Sequence, residues 1–303
     1  MDIVCNIDNQ YVKYCTVMIT SLFENNKGED IHIHILTDNL SDESKKILND
    51  TAESYGHKLS VYYIDPKQIE NYAVKPGYIS IATYYRCFIS SLLPETVKKA
   101  IYLDCDLIVA KSIKDFWNID ISNYAVGAVE DMWSDRGHTQ RLGYPDGDSY
   151  FNAGVLIVNL DYWRKNGIEK QLADYIVKNA EILTYNDQDA LNGVLHDKKI
   201  FIPYRWNMQA GFLRKHLKLR KESIPALKKE IPHYAVIHYT GSRKPWHDDC
   251  THPLKSEYYK YLDMTIYKGE RPPFDLKIKL KKLNYAISSF LGLKNNYIKI
   301  KAK

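Results

Sequence analysis

Asp104 and Asp106 are the residues from which a chemistry can be read first. They interrupt an apolar run, Ala100-Ile101-Tyr102-Leu103-Asp104-Cys105-Asp106-Leu107-Ile108-Val109, that otherwise reads as strand. At a spacing of two on extended backbone their side chains point the same way. Two carboxylates on one face at the end of a buried strand can chelate a hard divalent cation, and that cation can hold a diphosphate. Burying both acids beside such a run is costly without a cation or donor to pair them, which weighs against a solvated edge loop. The same spacing recurs at Asp146/Asp148 and Asp187/Asp189. Asp146-Gly147-Asp148 follows Pro145 and reads as a turn, where Asp and Gly serve the backbone.

Two carboxylates leave coordination positions open. His238 ends the stretch Val236-Ile237-His238 and is a candidate third ligand. An imidazole suits Mn²⁺ better than Mg²⁺. A histidine on a strand is more often a satisfied core residue, but the segment Thr240-Gly241-Ser242-Arg243-Lys244-Pro245-Trp246 follows this one. There Gly241 lets backbone approach a phosphate and Lys244 supplies a point charge, unless the segment is an ordinary turn with an exposed lysine. In Asn186-Asp187-Gln188-Asp189-Ala190-Leu191-Asn192 one aspartate is expected to cap a helix, while the other and Gln188 face a sugar. Arg86, after Tyr84-Tyr85, either holds a donor sugar and diphosphate or sits on a helix surface.

The elements that must position these groups alternate. Ile3–Ile7 reads as strand, Val12–Glu24 as helix, and Ile31–Leu36 as strand. A helix is expected from Ser41, with Asp42 and Glu43 in its first turn, and a third strand over Leu59–Ile64. Tyr124–Val129 and the apolar run Phe151–Leu160 are further strands, and a helix is expected over Asp189–Leu195. This order implies an α/β fold, a mixed but mainly parallel Rossmann-like sheet with helices on both faces. Ligands of such sheets lie beyond the carboxyl ends of the strands, where Asp8 and the Asp104/Asp106 pair can share one crevice.

The chain has 303 residues, 45% of them hydrophobic and 26% charged, which fits a globular protein with one large domain and an appendage. Met1-Asp2-Ile3-Val4-Cys5 carries no basic leader, and no stretch approaches a membrane span. Five scattered cysteines with no Cys-x-x-Cys argue against a disulfide framework or a zinc site, and for a reducing cytoplasm. The net charge is +5, yet residues 276–303 hold eight lysines and no acid. Removing those eight charges leaves −3 for residues 1–275, so nucleic acid is not an expected partner. The lysines alternate with Leu, Ile and Phe, which suits the surface of an anionic bilayer. The expected division is a catalytic domain over 1–255, a helix and linker over 256–275, and a basic amphipathic tail over 276–303 that docks the protein peripherally on the inner face of the cytoplasmic membrane.

Four segments occur in order: Tyr102-Leu103-Asp104-Cys105-Asp106, Tyr150-Phe151-Asn152-Ala153-Gly154-Val155, Asp187-Gln188-Asp189-Ala190-Leu191-Asn192, and His238-Tyr239-x-Gly241-x-x-Lys244-Pro245-Trp246. Together they resemble glycosyltransferase family 8, and within it the bacterial lipooligosaccharide and lipopolysaccharide α-galactosyltransferases. The resemblance implies a GT-A nucleotide-sugar fold and retaining transfer from UDP-galactose or UDP-glucose to a glycan. It implies Mn²⁺, or Mg²⁺, held by Asp104, Asp106 and His238. Asp8 then faces the uridine, Gly241 and Lys244 the diphosphate, and Arg86, Asn152, Asp187 and Gln188 the donor sugar. Asp131 approaches the acceptor. Tyr78 and Thr240 stand where those relatives carry other residues in the acceptor region, and Gln10 replaces an asparagine of the nucleotide site. In the family the residue nearest the anomeric carbon is usually a glutamine, here Gln188, a poor nucleophile. That favours front-face attack, with Asp187 as the alternative nucleophile. Two other classes fit parts of the pattern. One is a UDP-sugar hydrolase or self-glucosylating primer on the same fold. The other is a non-catalytic carbohydrate-binding relative, against which the Asp104/Asp106/His238 set argues.

Overall fold

The computed structural model describes residues 1–70, 72, 81–134, 137–145, 148–273, 280, 283–285, 287–288, 291 and 296–300. Strand and helix alternate at first as expected: β1 (Asp2–Asn6), α1 (Val12–Glu24), β2 (His32–Thr37), α2 (Asp42–Ser54) and β3 (Lys58–Tyr63). Ser41 caps α2 by accepting from the Ser44 amide, with Asp42 and Glu43 at the positive end of the helix dipole. β4 (Lys99–Leu103), β5 (Leu107–Val109), β6 (Val126–Glu130), β7 (Phe151–Asn159), β8 (Lys199–Phe201), β9 (Met208–Gln209) and β10 (Val236–His238) follow.

Seven strands form one sheet in the order β3-β2-β1-β4-β7-β6-β8. β3, β2, β1 and β4 run parallel to one another, as do β6 and β8, while β7 is antiparallel to both β4 and β6. Strands covered on both faces are continuously apolar, and eight of the nine residues of β7 are buried. α1 is buried over most of its circumference because it lies between this sheet and the helix Lys255–Leu262. Tyr258, Tyr261 and Leu262 of that helix join the same core as α1, and Asn25 donates to the Tyr261 hydroxyl at 2.7 Å.

One feature of the topology positions the site. The run around Asp104 and Asp106 does not resume as the same strand: β4 ends in the large sheet, and β5 belongs to a second sheet ordered β5-β10-β9. The Asp104–Asp106 turn is the corner between the two. Its ends are tied to both sheets, by Asp104 N–H to the Gly154 carbonyl (2.8 Å) and Tyr239 N–H to the Asp106 carbonyl (3.0 Å). Because β5 pairs antiparallel with β10, Leu107 lies opposite His238. The antiparallel pairing thus delivers the imidazole to the carboxylates.

Candidate active site

A cleft of about 320 Å³ opens at this corner. Asp8, Arg86, Asp104, Asp106, Asp131, Asn152, Asp187, Gln188, His238, Thr240, Gly241 and Lys244 all line it. The fold therefore gathers every site residue read from the sequence except Tyr78, which lies outside the described residues. Its volume is within the usual range of small-molecule sites.

The proton bookkeeping of the site is settled by backbone donors. Gly154 N–H donates to Asn152 Oδ1 (3.1 Å), so that atom is an acceptor. Asn207 Nδ2 donates to the same oxygen (2.8 Å), which turns Asn207 Oδ1 toward His238 Nδ1 (2.9 Å). Facing an acceptor, Nδ1 carries a proton, so in the neutral ring it is Nε2 that keeps the lone pair. Nε2 faces Asp106 Oδ1 at 3.1 Å and Asp104 Oδ2 at 3.9 Å. Asp106 Oδ1 is buried without a hydrogen-bond donor. In its neutral form the ring adds a lone pair to two carboxylate oxygens, a donor set that can hold a cation. The three ligand atoms lie within 4.8 Å of one another. An oxygen-rich set with one imidazole fits Mn²⁺.

The remaining valences of the acids are filled. Asp104 Oδ1 accepts from Arg86 Nη2 and from the Tyr102 hydroxyl, both at 2.9 Å. Asp106 Oδ2 takes the Lys244 ammonium, which also donates to the Tyr239 carbonyl (2.9 Å). Burial alone would raise the Asp106 carboxyl, but the Lys244 ammonium, joined by His238 when its ring is protonated, outweighs it and holds it well below the usual carboxylate range.

Arg86 is buried rather than on a helix surface. It ties Asp104 to the Ala153 carbonyl (Nη1, 2.6 Å) and to Asp187 (Nε, 3.0 Å). Thr83 also donates to Asp187, yet burial pushes that carboxyl up to about 6. Gln188 Oε1 accepts from Ala153 N–H (3.0 Å) and Asn152 (3.1 Å), which aims its Nε2 at Asp131 Oδ2 (3.3 Å). Burial also raises the Asp131 carboxyl, against the Trp133 amide, Asn152 and Gln188 that bond it.

Neither aspartate of the Asp187/Asp189 pair caps a helix in the expected way. The helix begins at Asn186 with no side-chain cap. Asp189 is fully buried and accepts from both Arg141 nitrogens (2.7 and 2.8 Å), the Tyr150 hydroxyl (2.7 Å) and the Thr184 and Tyr185 amides (2.6 and 2.8 Å). Asp8 lines the cleft while capping the short helix Asn9–Tyr11 through the Gln10 and Tyr11 amides. Thr240 accepts from Ala210 N–H (3.1 Å).

Sequence reasoning missed Asn207, Gly154 as a space requirement, and the aromatic walls Trp133 and Tyr185. Asn207 follows Trp206 in a stretch with no motif, so nothing local marks it. Asn207→Leu is expected to free the His238 ring to take the other tautomer and to weaken Mn²⁺ binding about 10–100-fold. The ¹⁵N shifts of His238 in metal-free protein report the tautomer, and titration calorimetry reports the affinity. An unchanged shift and affinity would show that Asn207 does not set the ring.

The family model described as "Glycosyl transferase family 8" matches residues 2–250. General stress protein A of Bacillus subtilis (strain 168) is 31% identical over 273 residues, covering 88% of this chain and 94% of that protein. Lipopolysaccharide glucosyltransferase WaaO of Escherichia coli (strain K12) is 28% identical over 257 residues, 82% of this chain and 73% of that protein. Among solved structures, galactosyltransferase LgtC in complex with donor and acceptor sugar analogs superposes with a TM-score of 0.81 at 26% identity, over 93% of this chain and 100% of that one.

Proposed function

This chain belongs to glycosyltransferase family 8 and has a GT-A-like fold, and from that premise we propose that it moves galactose or glucose from a UDP-sugar to a glycan acceptor, with retention and with Mn²⁺ as cofactor. The observation that carries the reading is the convergence of Asp104, Asp106 and His238 beside the Lys244 ammonium, in one open cleft. The relatives divide between glucosyl and galactosyl donors, so the sugar is part of the proposal. A lipid-linked saccharide of the lipopolysaccharide type is the acceptor class that WaaO suggests.

Asp104, Asp106 and His238 would hold the cation. Bound there, Mn²⁺ supplies Lewis-acid neutralisation of the diphosphate. Lys244, on the loop that Gly241 turns at φ +88, adds a fixed positive charge where the leaving group gains negative charge. Arg86, Asn152, Asp187 and Gln188 hold the donor sugar, Asp8 faces the uridine, and Asp131 with Thr240 borders the acceptor. Trp133 and Tyr185 offer the acceptor flat apolar walls. A covalent route needs a free carboxylate beneath the anomeric carbon. Asp189 is saturated by five donors, Asp187 is tied to Arg86 and Thr83, and the Gln188 amide is a poor nucleophile. Front-face attack is the reading these contacts favour, with the acceptor proton passing to the departing phosphate oxygen.

The test offers UDP-galactose, UDP-glucose and UDP-N-acetylhexosamines with Mn²⁺ or EDTA, and lactose or a lipid-linked glycan as acceptor. Turnover of one UDP-hexose that EDTA stops, with the anomeric configuration kept by NMR, is the expected result. Silence with every UDP-sugar and no Mn²⁺-dependent UDP binding would overturn it.

We also propose that residues 276–303 dock on anionic lipid at the inner face of the cytoplasmic membrane. Part of this segment lies outside the described residues. Support comes from its eight lysines and from Leu280, Leu283, Ile287 and Leu291, three and four residues apart and all exposed. Among the described residues no helix is long and apolar enough to cross a membrane. Exchanging the eight lysines for Gln should weaken co-sedimentation with phosphatidylglycerol vesicles by about 1 kcal/mol per lysine near the surface, with donor hydrolysis unchanged. Equal sedimentation of both proteins would remove the tail from the membrane reading.

A further inference from the structure

The turn that carries the two carboxylates has a second face. Cys105 lies between Asp104 and Asp106, and the alternation that aims the acids into the cleft turns its thiol toward β1 and α1. There it meets Cys5 of β1 and Cys15 of α1. The three sulfurs lie within 4.8 Å of one another, and all three residues are buried free thiols. Cys105 alone of the three borders the cleft.

We propose that Cys5, Cys15 and Cys105 form a three-coordinate site for a thiophilic metalloid, with trivalent arsenic as the matching class. The donor set selects a soft partner over Mg²⁺ or Mn²⁺. Among the described residues the group offers three sulfurs and no fourth donor, which suits a pyramidal centre better than tetrahedral zinc. Charge narrows the choice further. Three thiolates around a monovalent ion leave −2 and around a divalent ion −1, buried next to Asp104 and Asp106. Around a trivalent centre the group is neutral, which avoids that cost.

The step balances without an oxidant. As(OH)₃ and three thiols give As(S-Cys)₃ and three waters. Three S–H and three As–O bonds break, three As–S and three O–H bonds form, and arsenic stays trivalent. Entry is through the cleft at Cys105. Once filled, the site ties the Asp104–Asp106 turn to β1 and α1 from behind.

The reduced full-length protein is incubated with arsenite, desalted, and its arsenic measured by elemental mass spectrometry and X-ray absorption. The expected result is one arsenic per chain with three sulfur ligands. Cys15→Ser should weaken retention about 100-fold or more, because one of three linked ligands is lost. Cys250→Ser, a buried cysteine outside the group, should retain arsenic as the wild type does. No retained arsenic, fewer than three sulfurs on the metalloid, or an equal loss in Cys250→Ser would overturn the proposal. The sulfur count is read on the unaltered chain, so a folding defect in a variant does not blunt the test.

Discussion

Asp106→Asn is expected to lower cation-dependent transfer by about 10²–10³-fold, the scale of removing one preorganised electrostatic group. Asn matches the volume of Asp but replaces the charge that both His238 and Lys244 face. Of the two acids, Asp106 is the more exposed to this loss. Asp104 keeps two donors, Arg86 and Tyr102, on Oδ1, whereas Asp106 has Lys244 on Oδ2 and no donor on Oδ1. The same variant should make UDP binding insensitive to EDTA, which separates a metal defect from a general loss of the cleft. Wild-type activity in Asp106→Asn would sink the metal assignment. The charge pairing also gives a sign for acid stability. Because the folded carboxyl is held below its unfolded value, the stability it contributes is present above the unfolded value near 3.8 and is lost as pH falls through the folded one. Metal-free Asp106→Asn should therefore lose less stability than the wild type on acidification below about pH 4, as thermal melts across that range would report.

What could be read in advance, and what could not, divides along a physical line. Asp104, Asp106, His238, Gly241 and Lys244 stand in short motifs whose local geometry is dictated by strand periodicity and turn chemistry, and the fold gathers all five. The α2 cap at Ser41 was legible for the same reason. Properties that depend on a neighbour distant in sequence were not legible. Leu107-Ile108-Val109 reads as a continuation of β4, yet its hydrogen bonds go to β10. Asp187 and Asp189 read as a cap and a sugar ligand, but Arg141, 48 residues away from Asp189, decides that Asp189 is structural. The lysine-rich tail is legible in composition, and nothing in composition foretells that Tyr297 stacks under Arg214 at 3.6 Å. Asn207 carries its weight only through an acceptor oxygen 55 residues upstream.

Gly154→Ala is expected to be about as damaging as removal of a ligand, although no charge changes. A Cβ built on Gly154 would lie 2.3 Å from His238 Cε1 and 2.6 Å from Asp104 Oδ2. Neither neighbour can yield cheaply. The His238 ring is held by Asn207 and almost wholly buried, and Asp104 is tied through its other oxygen to Arg86 and Tyr102. The backbone cannot retreat either, because Gly154 lies within β7 and its carbonyl accepts from Asp104 N–H. The methyl must therefore part the Asp104 and His238 side chains. Overpacking of this kind costs about 1–3 kcal/mol of stability, and an Mn²⁺ affinity at least about 100-fold lower is expected, because the protein's contribution to such a site is a set geometry. Gly211→Ala is the matched comparison. Its Cβ would also meet a neighbour, Met132, with Sδ at 2.5 Å and Cβ and Cγ at 2.9 Å, but that residue stands outside the Asp104/Asp106/His238 group. Melting temperature and Mn²⁺ titration on both variants separate crowding in general from crowding of the ligands. If Gly154→Ala bound Mn²⁺ as the wild type does, the convergence of Asp104 and His238 would not be the metal site. If Gly211→Ala lost Mn²⁺ equally, the defect would belong to the cleft as a whole.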